Sequence, residues 1–261
     1  MTQSVLTGLL HELGPGHVFG FFLVLARITP LFVVAPLFSS TLLPAQVKTI
    51  IAVALSLGLT PIATHGQTLP SDPLVVALLF VTNTLTGLGF ALAVSAVIAA
   101  VNSAGAILDV IAGFSYGQLI NPMDGTQGGT LTNLYSIVGL ALFVAIGGDA
   151  WMLRGIEHTF VLVPLTGAPH ISSLAAGVDL AAGTIFVSAL ELAAPALVAL
   201  LVTDVAFGLV SRVVPQLNIF SVGFPLKIGV ALLVVAASLP FLGGFLNSQV
   251  GTAVAQAVQA L

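Results

Sequence analysis

The chain has 261 residues, of which only five are Lys or Arg and nine are Asp or Glu. That is 5% charge, where an ordinary soluble domain carries about 25%. Apolar side chains make up 58% before 27 glycines are added, and mean hydropathy is +1.18. So few charges cannot cover a water-facing surface, which excludes an ordinary soluble globule, a nucleic-acid binder and a disordered chain. A membrane or membrane-complex protein remains. The net charge of -4 supplies no basic belt for polyanions. The absence of cysteine excludes thiol chemistry, disulfides and thiolate metal sites.

The N-terminal stretch Met1–Leu13 has no Lys or Arg and is interrupted by Glu12. It lacks the positive start of a secretory signal and reads as a short amphipathic helix of the mature chain. The first apolar run is His17–Ser40, with Arg27, Pro30 and Pro36 inside it. Val47–Ala63 follows, after Pro44 and Lys48, and then the polar loop Thr64–Pro73. Pro73–Leu108 carries no charge at all. As one helix it would be about 54 Å long, against ~30 Å for a bilayer core, so it predicts either two short spans or one helix that leaves the membrane. Gly113–Gly129 is the longest Gly/Asn/Pro-rich interruption. Thr130–Ala145 is another span, followed by the cluster Asp149, Trp151, Arg154 and Glu157. After a loop at Pro164–Ser173 come two further runs, Val178–Val210 and Ile219–Leu246, separated by Arg212–Asn218. The pattern predicts an all-α, membrane-associated bundle of about six apolar helices without a soluble domain. Alternation of period two is absent, which argues against a membrane barrel. The basic residues are too few and too scattered to set an orientation by the positive-inside rule.

Gly87, Ala91, Ser95, Ala99 and Ser103 recur every fourth residue and would form one groove of small side chains on a continuous helix. Close backbone contact at small residues is how helices associate in lipid, so this face predicts tight packing and makes Ser95→Leu disruptive. Arg27, Glu191, Asp204 and Lys227 lie in or at the ends of apolar runs. A central charge costs about 2.5–3.5 kcal/mol on insertion scales, so each needs a partner, a polar cavity or a place outside the lipid. Asp204 and Arg212 share a helical face two turns apart, too far to pair, which leaves Lys227 as a candidate partner for Asp204. Arg212 can instead snorkel at a helix end.

Enzymatic motifs are weak. Gly113-Phe114-Ser115-Tyr116-Gly117 fits the G-x-S-x-G nucleophile pattern, and Asp149 and then His158 or His170 follow in the right order. That chemistry needs a strand before the serine, and an alanine-rich helical stretch stands there instead. His11-Glu12 begins like a zinc-protease helix, but no second histidine follows at the required spacing. No phosphate loop or dinucleotide fingerprint occurs. The expectation is a non-enzymatic protein without cofactor or metal.

The run Asp204-x3-Gly208-x2-Ser211-Arg212-x2-Pro215-Gln216-x-Asn218-x-Phe220-x2-Gly223-x-Pro225-x-Lys227 resembles the signature of the FliR family. The N-terminal order Arg27, Pro30, Pro36, Pro44, Lys48, the loop after the long helix and the overall length are similar too. The family consists of flagellar biosynthetic proteins in the bacterial inner membrane, at the flagellar basal body. The resemblance implies a subunit of the type III protein export gate, built of bent helical hairpins within a hetero-oligomeric pore complex. It implies FliP-like and FliQ-like partner subunits, contact with FlhB-like and FlhA-like export proteins, membrane lipid around the complex, and unfolded flagellar proteins as cargo. Residues 1–175 would be a FliP-like helical part and 176–261 a FliQ-like C-terminal hairpin. The family's pore loop maps to 113–129. Gly113, Phe114, Tyr116, Gly117, Leu119, Ile120, Asn121 and Pro122 would form a plug there, although family members often carry aromatics where Leu119 and Ile120 stand. Pro215, Gln216, Asn218, Phe220, Gly223 and Pro225 would shape the turn between the C-terminal helices. The charges Arg27, Glu191, Asp204, Arg212 and Lys227 would serve assembly. Two other functions fit the composition. One is the equivalent subunit of a virulence injection system. The other is a small-solute secondary transporter, which should show an internal repeat; none is evident between the two halves.

Overall fold

The computed structural model describes residues 15–39, 44–70, 72–115, 129–214 and 219–259. They form eight α-helices and, among the described residues, no strand: α1 Pro15–Val34, α2 Pro36–Ser39, α3 Ala45–Thr64, α4 Pro73–Ala112, α5 Thr130–Ala145, α6 Gly148–Leu162, α7 Ile171–Val213 and α8 Ile219–Gln259. The all-α expectation therefore holds. The six apolar runs correspond to α1, α3, α4, α5, α7 and α8. The short α2 is additional, as is α6, which carries the charged cluster after α5. The N-terminal stretch Met1–Leu13 lies outside the described residues.

The charge-free run is one unbroken helix. The 40 residues of α4 extend over about 60 Å, twice a bilayer core. Both C-terminal helices are longer than their apolar runs, at 43 residues for α7 and 41 for α8. The tail of α8 loses average apolarity after Leu246 but keeps a buried stripe: Leu246, Val250, Val254 and Ala257 are all 7% exposed or less. Spacing of four and three residues holds that stripe on one face, so the helix continues where mean apolarity alone ends it. Helices α3, α4, α7 and α8 are each long and apolar enough to cross a membrane, and α5 with α6 adds a broken fifth candidate. They differ in how much they hide. The apolar window of α4 is 56% buried, that of α7 28% and that of α8 17%. The chain itself leaves most of α7 and α8 uncovered, including Val198, Leu201, Val205, Leu209, Val213, Leu233 and Phe241.

The chain divides into two compact units. The first comprises Met1–Ser95, Gly147–Ala181 and Val250–Leu261. In it α1 packs along α3 through small side chains. The buried face of α3 is Ala52, Ser56, Thr60 and Ala63. Its hydroxyls satisfy themselves one turn back, Ser56 donating to the Ala52 carbonyl and Thr60 to that of Ser56, so no polar group is stranded in the interface. A Cβ on Gly20 would lie 2.5 Å from the Thr64 methyl. Leu23, Val24, Ile28, Leu31, Phe90, Val94, Met152, Ile156 and Leu165 fill this core. The second unit comprises Ala96–Ile146 and Ala182–Gln249. Its core includes Val101, Leu108, Leu131, Tyr135, Phe143, Leu200, Val235 and Leu242.

Candidate functional site

Arg27 is fully buried in the first unit. A guanidinium there needs acceptors for its donors, because unpaired burial of a charge is prohibitive. Its Nε and Nη2 both donate to Asn83 Oδ1, at 2.9 and 2.5 Å. Its Nη1 donates to the carbonyls of Thr159 and Val163, at 3.0 and 2.7 Å. Those carbonyls belong to the C-terminal end of α6, where the helix dipole is negative, and the Thr159 oxygen also accepts the Val163 amide. The guanidinium carbon also stands 4.6 Å from the centre of the Phe160 ring, a favourable cation–π distance. Asn83 is saturated in turn, its Nδ2 donating to the carbonyls of Leu79 and Leu165. Among the described residues no carboxylate pairs with Arg27. The cation is held by neutral oxygens and a helix end, and it ties α1, α4 and the α6 terminus together.

Gly87 is what allows this approach. A Cβ on it would fall 1.9 Å from the Arg27 carbonyl oxygen, so α4 lies directly on the α1 backbone. Of the small-residue face, Gly87 and Ala91 are buried, while Ser95, Ala99 and Ser103 are half-buried. Ser95 donates to the Leu92 carbonyl.

In the second unit Lys227 and Asp204 form an ion pair at 2.8 Å. The two residues stand on α8 and α7. The side chains remain 20% and 45% exposed, so in water the pair would contribute at most about 1 kcal/mol. Charge reversal of either partner should lower the amount of assembled protein, and the exchanged pair Asp204→Lys with Lys227→Asp should recover most of it, read by immunoblotting of isolated membranes. Arg212 is exposed in the last turn of α7, at the negative end of that helix. Glu191 is exposed and lines a small pocket with Tyr135, Pro195 and Ser238.

The 113–129 loop is described only at its ends. Gly113 is buried with φ at +92°, the left-handed region that ends α4, and Phe114 is half-buried. Tyr116, Gly117, Leu119, Ile120, Asn121 and Pro122 lie outside the described residues. So do Pro215, Gln216 and Asn218, together with the side chain of Phe220. Gly223 is buried and Pro225 exposed. The serine-nucleophile pattern has no elbow, since Gly113–Ser115 turn out of the end of a 40-residue helix rather than a strand. Among the described residues no three His, Asp or Glu side chains stand together as metal ligands.

Asp109 and Asn83 carry geometry that charge counting in the sequence does not reveal. Asp109 sits on the last turn of α4, 2% exposed. Its carboxylate accepts the amides of Leu131 and Thr132, both at 2.8 Å, and the Thr132 hydroxyl at 2.6 Å. It thereby caps α5, whose own N-cap, Gly129, has no side chain to offer.

Apolar helices that exceed a bilayer, a charge satisfied inside the bundle and two largely uncovered C-terminal helices define an all-α membrane-complex protein. The sequence model of the family described as "Bacterial export proteins, family 1" matches residues 18–253. The chain belongs to that family. It is 29% identical over 225 residues to the Flagellar biosynthetic protein FliR of Escherichia coli (strain K12), covering 86% of both chains. It is 31% identical over 226 residues to that of Bacillus subtilis (strain 168), covering 85% of this chain and 87% of the relative. The Surface presentation of antigens protein SpaR of Salmonella typhimurium is 25% identical over 227 residues, with 86% and 83% covered.

Proposed function

We propose that this chain is the FliR-type subunit of a flagellar type III export gate in the bacterial inner membrane. The carrying observation is the family match from residue 18 to 253, with FliR proteins at 29 and 31% identity over nearly the whole chain. The higher identities fall to flagellar biosynthetic proteins rather than to SpaR, at 25%, which favours flagellar over injection cargo. The uncovered apolar faces of α7 and α8 suit burial against FliP-like and FliQ-like subunits and lipid. FlhB-like and FlhA-like export proteins would meet the complex at the basal body. In this reading 1–175 is the FliP-like part and 176–261 the FliQ-like hairpin. The loop 113–129 seals the pore for unfolded flagellar proteins, and the protein positions and seals rather than catalyses. Residues 215–225 shape the turn between α7 and α8.

Deleting the gene should abolish swimming, and the native complex should co-purify with FliP-like and FliQ-like subunits. Swimming that survives deletion, with loss of an injection activity instead, would transfer the reading to the SpaR-like relatives. Removing residues 114–120 from the assembled complex should make the membrane permeable to ions. Unchanged conductance would remove the sealing role from the loop.

A further inference from the structure

Glu191 stands near the midpoint of α7, in the second unit, among Val187, Leu190 and Val198, all more than half exposed. Among the described residues its carboxylate meets no cation and no hydrogen-bond donor. A carboxylate left alone on an apolar surface that a complex covers is costly, so its partner has to come from outside the chain. We propose that Glu191 marks a docking site for a lysine on an apolar helix of a neighbouring subunit, whose ammonium enters the pocket beside it; this rests on the reading of the chain as a subunit of a larger complex.

The chemistry of the pocket selects the partner. Its volume is about 70 Å³, and Glu191, Tyr135, Pro195 and Ser238 line it together with apolar side chains that include Leu242. Its hydroxyls have no proton to offer. Tyr135 is hydrogen-bonded through its side chain to Ser238, and Ser238 gives its own proton to the Val235 carbonyl at 2.8 Å. Tyr135 is therefore the donor to Ser238, and neither hydroxyl is free to satisfy Glu191. Pro195 adds a further acceptor: it has no N–H, so the Glu191 carbonyl, one turn back, is without its helical donor. A carboxylate, a freed carbonyl and two hydroxyl oxygens whose protons are engaged make a site of acceptors only. An ammonium carries three donors and no acceptor on a compact head. A guanidinium spreads five donors over a plane and is the poorer fit to so small a space. The second unit does not supply the lysine itself, since Lys227 is held by Asp204 at 2.8 Å. Phe241 and Val198, 76% and 61% exposed, offer apolar surface to the body of the incoming helix.

The test uses the native complex expressed with its partner subunits. Glu191→Gln keeps the shape and removes the charge, whereas Glu191→Lys sets two ammonium groups against each other. Two quantities are read: the level of the chain in isolated membranes, and its recovery with partner subunits in the purified complex. Glu191→Gln should leave the level of the chain unchanged, because no described residue of the chain bonds the carboxylate. Recovery should fall about tenfold, the equilibrium change carried by one charge-assisted hydrogen bond, and further with Glu191→Lys. In the Glu191→Lys background, changing one lysine in a partner's apolar helix to glutamate should restore it. Full recovery with Glu191→Gln would overturn the docking site, and so would a fall in the level of the Glu191→Gln chain itself. A loss of recovery that no such exchange repairs would overturn it as well. A wild-type chain that co-purifies with no partner subunit would overturn the complex and this inference together, while a wild-type complex matched by an unaffected Glu191→Gln variant removes this inference alone.

Discussion

Arg27→Ala is expected to abolish accumulation of the folded chain in membranes, and with it all assembly of the complex. The substitution leaves Asn83 Oδ1 and the Val163 carbonyl without the donors that now satisfy them, and takes one of two donors from the Thr159 carbonyl, which keeps the Val163 amide. Each buried group so stranded costs about 1–3 kcal/mol, and the space left by the side chain adds to that. The total approaches the 5–15 kcal/mol that holds an ordinary domain together. Arg27→Lys should rescue little. An ammonium keeps the charge but lacks the planar fork that meets an amide oxygen on one side and two carbonyls on the other. Asn83→Leu leaves the Nε and Nη2 donors of the buried cation unpaired while Nη1 keeps the Thr159 and Val163 carbonyls, and should cost about 1–3 kcal/mol for each donor so stranded. The double variant Arg27→Leu with Asn83→Leu should lose less than the sum of its parts, because an apolar replacement removes donor and acceptor together. Chain abundance in membranes and the thermal midpoint of the detergent-extracted complex measure all four. Wild-type abundance for Arg27→Ala would mean that the node carries no stability.

What the sequence discloses here follows from where each signal resides. Composition and uninterrupted apolar runs are properties of the chain alone, so the six apolar helices and the turn regions between them could be read directly. Arg27 is conspicuous because a charge within an apolar run is rare, but its partners are not. Two of them are backbone carbonyls, which every residue has, and only the fold brings the end of α6 against Arg27. Asn83 is a neutral residue in a charge-free stretch, and only the fold places it opposite Arg27. Asp109 lies just beyond that stretch, and its meaning depends on Gly129, twenty residues later, lacking a cap of its own. The extension of α8 beyond Leu246 escaped a reading by average apolarity for a related reason. A narrow stripe of Val250, Val254 and Ala257 is enough to bury a helix whose other faces are polar or small. The charges Asp204 and Lys227 differ in kind from Arg27: they meet each other at a half-exposed position, so their value depends on what surrounds the complex.

Gly87→Ala should also be strongly damaging, although it adds only one carbon. The contact it would make is with a backbone oxygen at 1.9 Å, which no rotamer change can relieve. Helices α1 and α4 would have to separate, and the Arg27 bonds to Asn83 depend on that separation. In a helix interior the same substitution is otherwise worth about 1 kcal/mol in favour of alanine, which makes other glycines of this chain informative controls. Gly58 and Gly208 have open space where a Cβ would go. Within the isolated chain both alanine variants should be neutral or slightly stabilising. Gly208 lies on the uncovered part of α7, between the exposed Val205 and Leu209. If a neighbouring subunit packs closely there, Gly208→Ala should leave the level of the chain unchanged and reduce its recovery in the purified complex. Gly87→Ala should reduce both. An unaltered complex with Gly208→Ala would assign that face to lipid or to a loosely packed neighbour, because lipid tails accommodate a methyl group that a packed helix cannot.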